Sequence, residues 1–267
     1  MALELMWTDS FFIVAVLVGV VGFFYSNLGL GGGQLYVPIM DLFFVSLAMK
    51  EIVPLSLCFA FVTMASATYS HSRKGLVDFQ LGSLLALGGL VGVAVGVLFT
   101  TTVDEVLVKI GFASLLLIVA TKMMHDMYRA EREEGSALDD VGAKRRLAGV
   151  GVSVLTGFLV GSFGIGGGVV SVPLIIYVFR FDTRKAIGTS ALVGAILTPA
   201  AFIAYALREG VTIHYDLAIA LTPIIFVMAL IGSTWGLKKL KTRAVRTIFT
   251  GGVYLAAMEM VYSLLTQ

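Results

Sequence analysis

The sequence LGLGGGQLYVP, residues Leu28 to Pro38, is the stretch that decides how this chain folds. A second copy, FGIGGGVVSVP, residues Phe163 to Pro173, follows half a chain length later. Three consecutive glycines are poor helix formers, yet both copies stand between strongly apolar segments. In a lipid bilayer such a break is tolerated only where it is buried in protein or lines a cavity. Two breaks at corresponding positions of two halves are therefore typical of a transporter's binding site.

The composition is that of a membrane protein. Hydrophobic residues make up 58% of the chain and charged residues only 13%, against roughly 25% charged residues in a soluble domain. Four windows without a charged residue are long enough for a transmembrane helix of about 20 residues. These windows are Phe11–Met40, Phe79–Val103, Gly188–Leu207 and Leu217–Leu237. The single cysteine, Cys58, excludes an intramolecular disulfide and is expected to be a small packing residue.

The two halves of the chain are related by an internal duplication. The displacement that superimposes the glycine motifs also aligns Lys50 with Lys185, Ile52 with Ile187, Arg73 with Arg208 and Gly75 with Gly210. We predict an all-α polytopic membrane protein with two transmembrane repeats, residues 1–124 and 147–267, joined by a polar linker, residues 125–146. Each repeat is expected to contain a glycine-rich broken-helix hairpin and three spanning helices.

The segment after each triple glycine is too short to cross a membrane. Residues 37–47 would rise only about 16 Å as a helix, roughly half the hydrocarbon thickness. The simplest interpretation is a re-entrant hairpin that turns back at its glycines, and the alternative is a pair of tilted crossings. Both leave the chain on the side from which it entered, so the two alternatives stay open.

The distribution of basic residues predicts that the repeats are inverted relative to each other. With the linker in the cytoplasm, 16 of the 19 lysines and arginines fall on the cytoplasmic side. Only Lys50, Lys109 and Arg208 fall outside, which agrees with the positive-inside rule. We therefore expect a multi-pass protein of the plasma (inner) membrane, with the 125–146 loop cytoplasmic and both termini extracytoplasmic.

The inverted arrangement would bring two helix N-termini together near the membrane midplane. Short helices beginning near Gln34 and Val169 would direct their free N–H groups and positive dipole ends to one point, an anion site that needs no charged side chain. The alternative is that the glycines serve only close helix packing. Pro38 and Pro173 are expected to be tolerated near the helix starts. The candidate binding residues are Asn27, Gly31, Gly32, Gly33, Gln34, Ser162, Gly166, Gly167, Gly168, Val169, Ser171, Thr189 and Ser190, with Tyr25 and Tyr36 as further hydroxyl donors.

The remaining ionisable residues give no indication of catalysis. Asp41, Lys109 and Glu259 lie in apolar segments, and we expect each to extend its charge to the membrane interface. His71 and His214 are expected at loop edges. Because the sequence has no metal-binding spacing, nucleophile motif or nucleotide-binding loop, we expect a non-enzyme without metal, cofactor or nucleic-acid partner. The expected partners are a small anion and the lipid bilayer, and homo-oligomerisation is left open.

The glycine motif resembles that of a known family. The pattern Gly-x-Gly-Gly-Gly-x-x-x-Val-Pro, once in each half and followed by a basic residue and a long helix, is similar to that of the TauE/SafE sulfite exporter family. The second copy continues as KAIGTSAL from Lys185, like the family's Ala-Ile-Gly-Thr-Ser segment, whereas the first reads KEIVPLSL from Lys50. The resemblance implies export of sulfite, organosulfonates or related small sulfur-containing anions by a secondary transporter. The alternatives are a passive anion channel and a transporter of another small organic anion.

Overall fold

The computed structural model describes residues 9–129, 143–236, 251 and 253–263. This part of the chain is helical throughout and contains no strand. Most of the predicted linker lies outside the described residues, since one helix ends at Arg129 and the next begins at Ala143.

The helices follow the predicted segments closely. The first half contains α1 (Asp9–Leu28), α2 (Gly33–Phe43), α3 (Met49–Ser72), α4 (Phe79–Thr102) and α5 (Glu105–Arg129). The second half contains α6 (Ala143–Phe163), α7 (Gly168–Phe179), α8 (Thr183–Ala206), α9 (Tyr215–Ile231), which continues into a π-helical turn, Gly232–Gly236, and α10 (253–263).

Five of these helices are long and apolar enough to cross a membrane. They also leave large apolar side chains on the surface: Val16, Leu87 and Ile219 are between 64% and 73% exposed. A soluble protein rarely exposes so many large apolar side chains along its helices. The membrane prediction is therefore confirmed by the length, composition and surface of the helices.

The two long helices that follow the glycine motifs, α3 and α8, pack against each other. They run antiparallel, because His71 at the end of α3 contacts Gly188 in the second turn of α8. The helices around this pair pack mainly against helices of the opposite half. Helix α4 packs on α6 and α8, and α9 packs on α1 and α3. Equivalent helices of the two halves thus make equivalent contacts.

Close approach between α4 and α6 depends on glycine. A side chain at Gly92 would collide with the Val154 carbonyl, and one at Gly157 with the Gly89 carbonyl. The Tyr205 hydroxyl of α8 also donates a hydrogen bond to α6, to the Gly161 carbonyl, at 2.8 Å. Such small-residue seams are a common way to pack helices where lipid removes the hydrophobic driving force.

At each end of the bundle, two titratable side chains from different halves lie close together. At one end Lys185, the third residue of α8, lies 3.6 Å from Asp78, the N-cap of α4. At the other end His214, the N-cap of α9, lies 3.9 Å from Glu51, the third residue of α3. The two contacts occupy equivalent positions on equivalent helices, although the residue types differ.

Candidate functional site

The two glycine motifs adopt the same backbone conformation. Three glycines in each have positive φ, at 60°, 83° and 92° for Gly29, Gly31 and Gly32, and at 65°, 76° and 83° for Gly164, Gly166 and Gly167. L-residues rarely adopt this left-handed region. In both motifs the last of these glycines is the N-cap of a short helix. The turn itself therefore requires glycine, and the duplication in the sequence is a duplication of backbone shape.

The two motifs contact each other through their main chains. A Cβ added to Gly31 would lie 2.8 Å from the Gly166 Cα, and one added to Gly166 would lie 2.8 Å from the Gly31 Cα. The first residues of the short helices behave in the same reciprocal way. A Cβ at Gly33 would collide with the Gly164 carbonyl, and a Cβ at Gly168 with the Gly29 carbonyl. Close packing is therefore one established use of these glycines.

The short helices begin with main-chain amides that have no acceptor within their own helix. In α2 the first intrahelical bonds run from Leu35 and Tyr36 to the Gly32 carbonyl, so the preceding amides have no acceptor within the helix. Helix α7 repeats this with Val170 and Ser171 donating to Gly167. The helices begin at Gly33 and Gly168, one residue before the predicted starts.

Both prolines lie further inside their helices than expected. Pro38 is the sixth residue of α2 and Pro173 the sixth of α7, beyond the first turn, where a missing N–H costs nothing. A proline in the helix interior cannot donate to the carbonyl four residues earlier. The carbonyls released in this way belong to Gln34 and Val169, two of the predicted site residues.

Gln34 has the polar side chain in the site with the fewest hydrogen bonds. The residue is 1% exposed, and neither its amide nitrogen nor its amide oxygen has a hydrogen-bond partner among the described residues. A buried amide without partners is costly, so native proteins rarely leave one unless a ligand or water completes it. Its equivalent in the second half, Val169, is apolar and half-buried.

The polar residues that precede the two glycine motifs form hydrogen bonds of different kinds, one within its own helix and the other between helices. Asn27 donates to the Phe23 carbonyl at 3.1 Å, and its own side-chain oxygen is buried without a described partner. Ser162 donates to the Gly96 carbonyl at 3.4 Å, while the Ser162 carbonyl accepts from Thr100 at 2.7 Å. Asn27 thus keeps one free acceptor, and Ser162 ties α6 to α4.

Two serines, one on each central helix, bond the glycine motif of the opposite half. Ser190 donates to the Gly29 carbonyl at 3.4 Å, and Ser56 donates to the Gly164 carbonyl at 3.0 Å. Ser56 therefore matches Ser190, although the alignment of the glycine motifs places Ser190 opposite Leu55. The helices explain the shift, because α8 begins one residue sooner after its glycine motif than α3 does.

The other candidate hydroxyls serve the surrounding framework. Thr189 accepts from the Asp78 amide at 3.0 Å, and Ser171 is buried in the first turn of α7. Tyr36 shares a hydrogen bond of 2.9 Å with Thr63, and its ring lies against Gly32. Tyr25 is buried in α1. Cys58 is half-buried, 3.5 Å from the Thr222 hydroxyl.

The prediction that Asp41 and Lys109 extend their charges to the interface is wrong. Asp41 is 5% exposed and Lys109 2%, and the Lys109 ammonium lies 3.1 Å from the Asp41 carboxylate. Glu105 lies 3.7 Å from the same ammonium, and Ser263 of α10 donates to Asp41 at 3.0 Å. Opposite charges on different helices compensate each other in the protein interior, so neither has to reach water. Glu259 is half-buried one turn before Ser263.

The two histidines expected at loop edges, His71 and His214, differ in burial and position. His71 is 1% exposed and its ring bonds the Ala67 carbonyl at 2.8 Å, whereas His214 caps α9 at the end of the bundle. Among the described residues no group of three or more His, Cys, Asp or Glu side chains could hold a metal ion.

Comparison with known proteins gives a consistent result. The chain is 24% identical to the probable membrane transporter protein YunE of Bacillus subtilis over 270 residues, which covers 95% of this chain and 98% of the relative. It is 27% identical to a probable membrane transporter protein of Methanocaldococcus jannaschii over 226 residues, 82% of this chain and 79% of the relative. No solved structure matches the chain.

The family profile described as sulfite exporter TauE/SafE matches residues 13–260, which includes both glycine motifs and both central helices. This chain is therefore a member of the TauE/SafE sulfite exporter family.

Proposed function

We propose that this protein is a secondary transporter that exports small sulfur-containing anions, such as sulfite or organosulfonates, across the plasma membrane. The anion would bind where the N-termini of α2 and α7 meet, held by main-chain N–H groups of residues 31–34 and 166–169. A non-enzymatic role is part of this proposal, and the transporter names of the family and of the relatives support it.

Two inverted repeats, residues 1–124 and 147–267, would supply alternating access. The antiparallel packing of α3 and α8 and the exchange of partners between halves support this arrangement, as does the excess of basic residues on one side. One repeat would rock against the other around the glycine contact. Each motif would then be a re-entrant hairpin, with the 125–146 linker in the cytoplasm.

The observation that carries the proposal is the Gln34 side chain. Glycine packing alone would explain the turns, but it does not explain a buried amide with no described partner beside a helix N-terminus. An oxyanion that accepts from the main-chain N–H groups could also accept from this amide. The free side-chain oxygen of Asn27 can accept from a protonated anion such as hydrogen sulfite.

A stability experiment on purified protein tests the role of Gln34. Replacing Gln34 by Leu removes an unsatisfied buried amide, so the ligand-free protein should become more stable, by about 1–3 kcal/mol. The same variant should lose the stabilisation that wild-type protein gains from sulfite, thiosulfate or 2-hydroxyethanesulfonate. Thermal unfolding in detergent, with and without each anion, measures both effects.

The matched control is Gln80→Leu, because Gln80 is exposed in the first turn of α4. It should leave both stability and anion response unchanged. If Gln34→Leu were destabilising and kept the anion response, Gln34 would be a packing residue and the proposed site would be wrong. Counter-flow of labelled anion in proteoliposomes separates the transporter from a channel, which would show no counter-flow.

A further inference from the structure

A second feature suited to anions lies at the end of the bundle where α3 and α5 begin. A cavity of about 170 Å³ opens there between the first turn of α3, the last turn of α4 and the first turns of α5. Its lining includes Lys50, Thr100, Thr101, Val103 and Glu105. Such a volume holds one small oxyanion together with several water molecules.

The charges around this cavity, which we call the Lys50 cavity, are positive in balance. Lys50 lines it, and Arg208 donates to the lining Thr101 hydroxyl at 3.3 Å. Within the described part of the chain, neither cation lies within ion-pair distance of a carboxylate. The one acid of the lining, Glu105, is compensated, since it accepts from the Met49 amide at 3.1 Å and lies 3.7 Å from Lys109.

One hydrogen bond links the cavity lining to the chain just before the second glycine motif. The Thr100 hydroxyl donates to the Ser162 carbonyl at 2.7 Å, and Ser162 comes two residues before the first glycine of the second motif. The opposite half has no equivalent pair of hydroxyls in its sequence, because Thr100 and Thr101 align with Trp235 and Gly236. The feature therefore belongs to one end of the molecule.

We propose that the Lys50 cavity is a second anion-binding site, in which Lys50 and Arg208 hold a small oxyanion on its way out of the glycine site. The location on an exit path depends on the proposed transport function, whereas the affinity for anions depends only on the cavity. The two cations are among the three that the positive-inside rule places outside the cytoplasm. A cationic cavity on that side would draw the anion away from the midplane.

Cysteine labelling measures the electrostatic potential in the cavity without requiring transport. Val103→Cys in a Cys58→Ala background places one thiol in the lining, and Thr212→Cys in the exposed connection before α9 is the matched control. Each purified protein is treated in detergent with an anionic sulfonatoethyl and a cationic trimethylammonioethyl methanethiosulfonate. Intact-protein mass spectrometry then gives the ratio of the two reaction rates.

The ratio of anionic to cationic labelling should be higher at position 103 than at position 212. Lys50→Gln and Arg208→Gln should each lower it at position 103 by about fivefold, as expected for loss of a charge a few ångströms away, and Lys50→Arg should preserve it. Millimolar sulfate or 2-hydroxyethanesulfonate should slow anionic labelling at position 103 only while both cations are present.

Several results would overturn the proposal. One is an equal ratio at the two positions, and another is a ratio that does not respond to Lys50→Gln and Arg208→Gln. A third is an unreactive Val103→Cys protein that elutes as a monodisperse peak while Thr212→Cys reacts. Failure of the transport function would look different: the ratio and the protection by sulfate would remain, and vesicles would show no flux of sulfur-containing anions.

Discussion

The helix pairs joined by the two glycine motifs, α1 with α2 and α6 with α7, share a backbone conformation and differ in most of their side chains; we call each pair a hairpin. Their glycines have positive φ at the same three positions, and each hairpin meets the main chain of the other. The side chains diverge, with Gln34 opposite Val169 and Tyr36 opposite Ser171 at the same helical positions. In the proposed function, the main chain would therefore supply the geometry that binds the anion, and the first hairpin would supply most of the side chains that discriminate between anions.

The hairpins are also anchored differently at their far ends. Helix α2 carries Asp41, which pairs with Lys109 and Ser263, whereas α7 carries Ile176 at the equivalent position. In sequence Lys109 aligns with Ala244. The first hairpin is thus tied to α5 and α10 by buried polar contacts, and the residues that align with this ion pair in the second half are both apolar.

The largest expected effect comes from removing one member of that ion pair. Lys109→Ala leaves the Asp41 carboxylate buried without a cation, which should lower the free energy of unfolding by about 3–5 kcal/mol. The double variant Asp41→Ile with Lys109→Ala copies the residues of the second half and should recover most of that loss. Thermal and denaturant unfolding in detergent compares the two proteins.

If the double variant were as unstable as Lys109→Ala, the loss would come from the Lys109 stem and its packing. Glu209→Gln is a suitable control, because Glu209 is an exposed acid outside the cluster. Its effect should fall within about 0.5 kcal/mol.

The contact between the hairpins gives the next effect in size. Gly33→Ala and Gly168→Ala each place a methyl group against a carbonyl of the other motif, so each should destabilise by about 1–3 kcal/mol. Because the contacts are reciprocal, the two losses should be similar. Unfolding curves of the two variants measured in parallel test this equality.

Gly151→Ala is the matched control, since Gly151 lies in the middle of α6 with no atom near its missing side chain. It should be neutral or slightly stabilising, because alanine is the better helix former. A large loss for Gly33→Ala beside a small loss for Gly168→Ala would show that the hairpins are not equivalent even in their backbones.

How much of this could be predicted from the sequence depends on the kind of feature. The glycine motifs and charge-free windows predicted both short helices to within a residue of their starts, because positive φ angles and membrane-length segments leave local signatures. The Asp41–Lys109 pair could not be found in this way. Its partners are far apart in the sequence and lie on different helices, and local hydropathy carries no information about which helix faces which.

The candidate site could be predicted only where the sequence carries a local signature. Gln34 was singled out by its place beside the triple glycine. Its main-chain carbonyl lacks an intrahelical donor because Pro38, four residues later, has no N–H. The role of Ser56 was hidden by a one-residue difference between the halves. An alignment of identical residues cannot detect such a shift when one helix begins a residue sooner after its motif than the other.

The smallest expected effect concerns these two serines. Ser56 bonds the Gly164 carbonyl at 3.0 Å, and Ser190 bonds the Gly29 carbonyl at 3.4 Å. A buried hydrogen bond of good geometry contributes about 1 kcal/mol, so Ser56→Ala should cost about that much and Ser190→Ala less. Ser83→Ala, which removes an exposed hydroxyl bonded within its own helix, serves as the reference. The ion pair at the far end of the first hairpin already anchors that hairpin, so we expect its glycine motif to depend less on a serine than the second motif does. A larger loss of stability for Ser190→Ala than for Ser56→Ala would contradict this expectation.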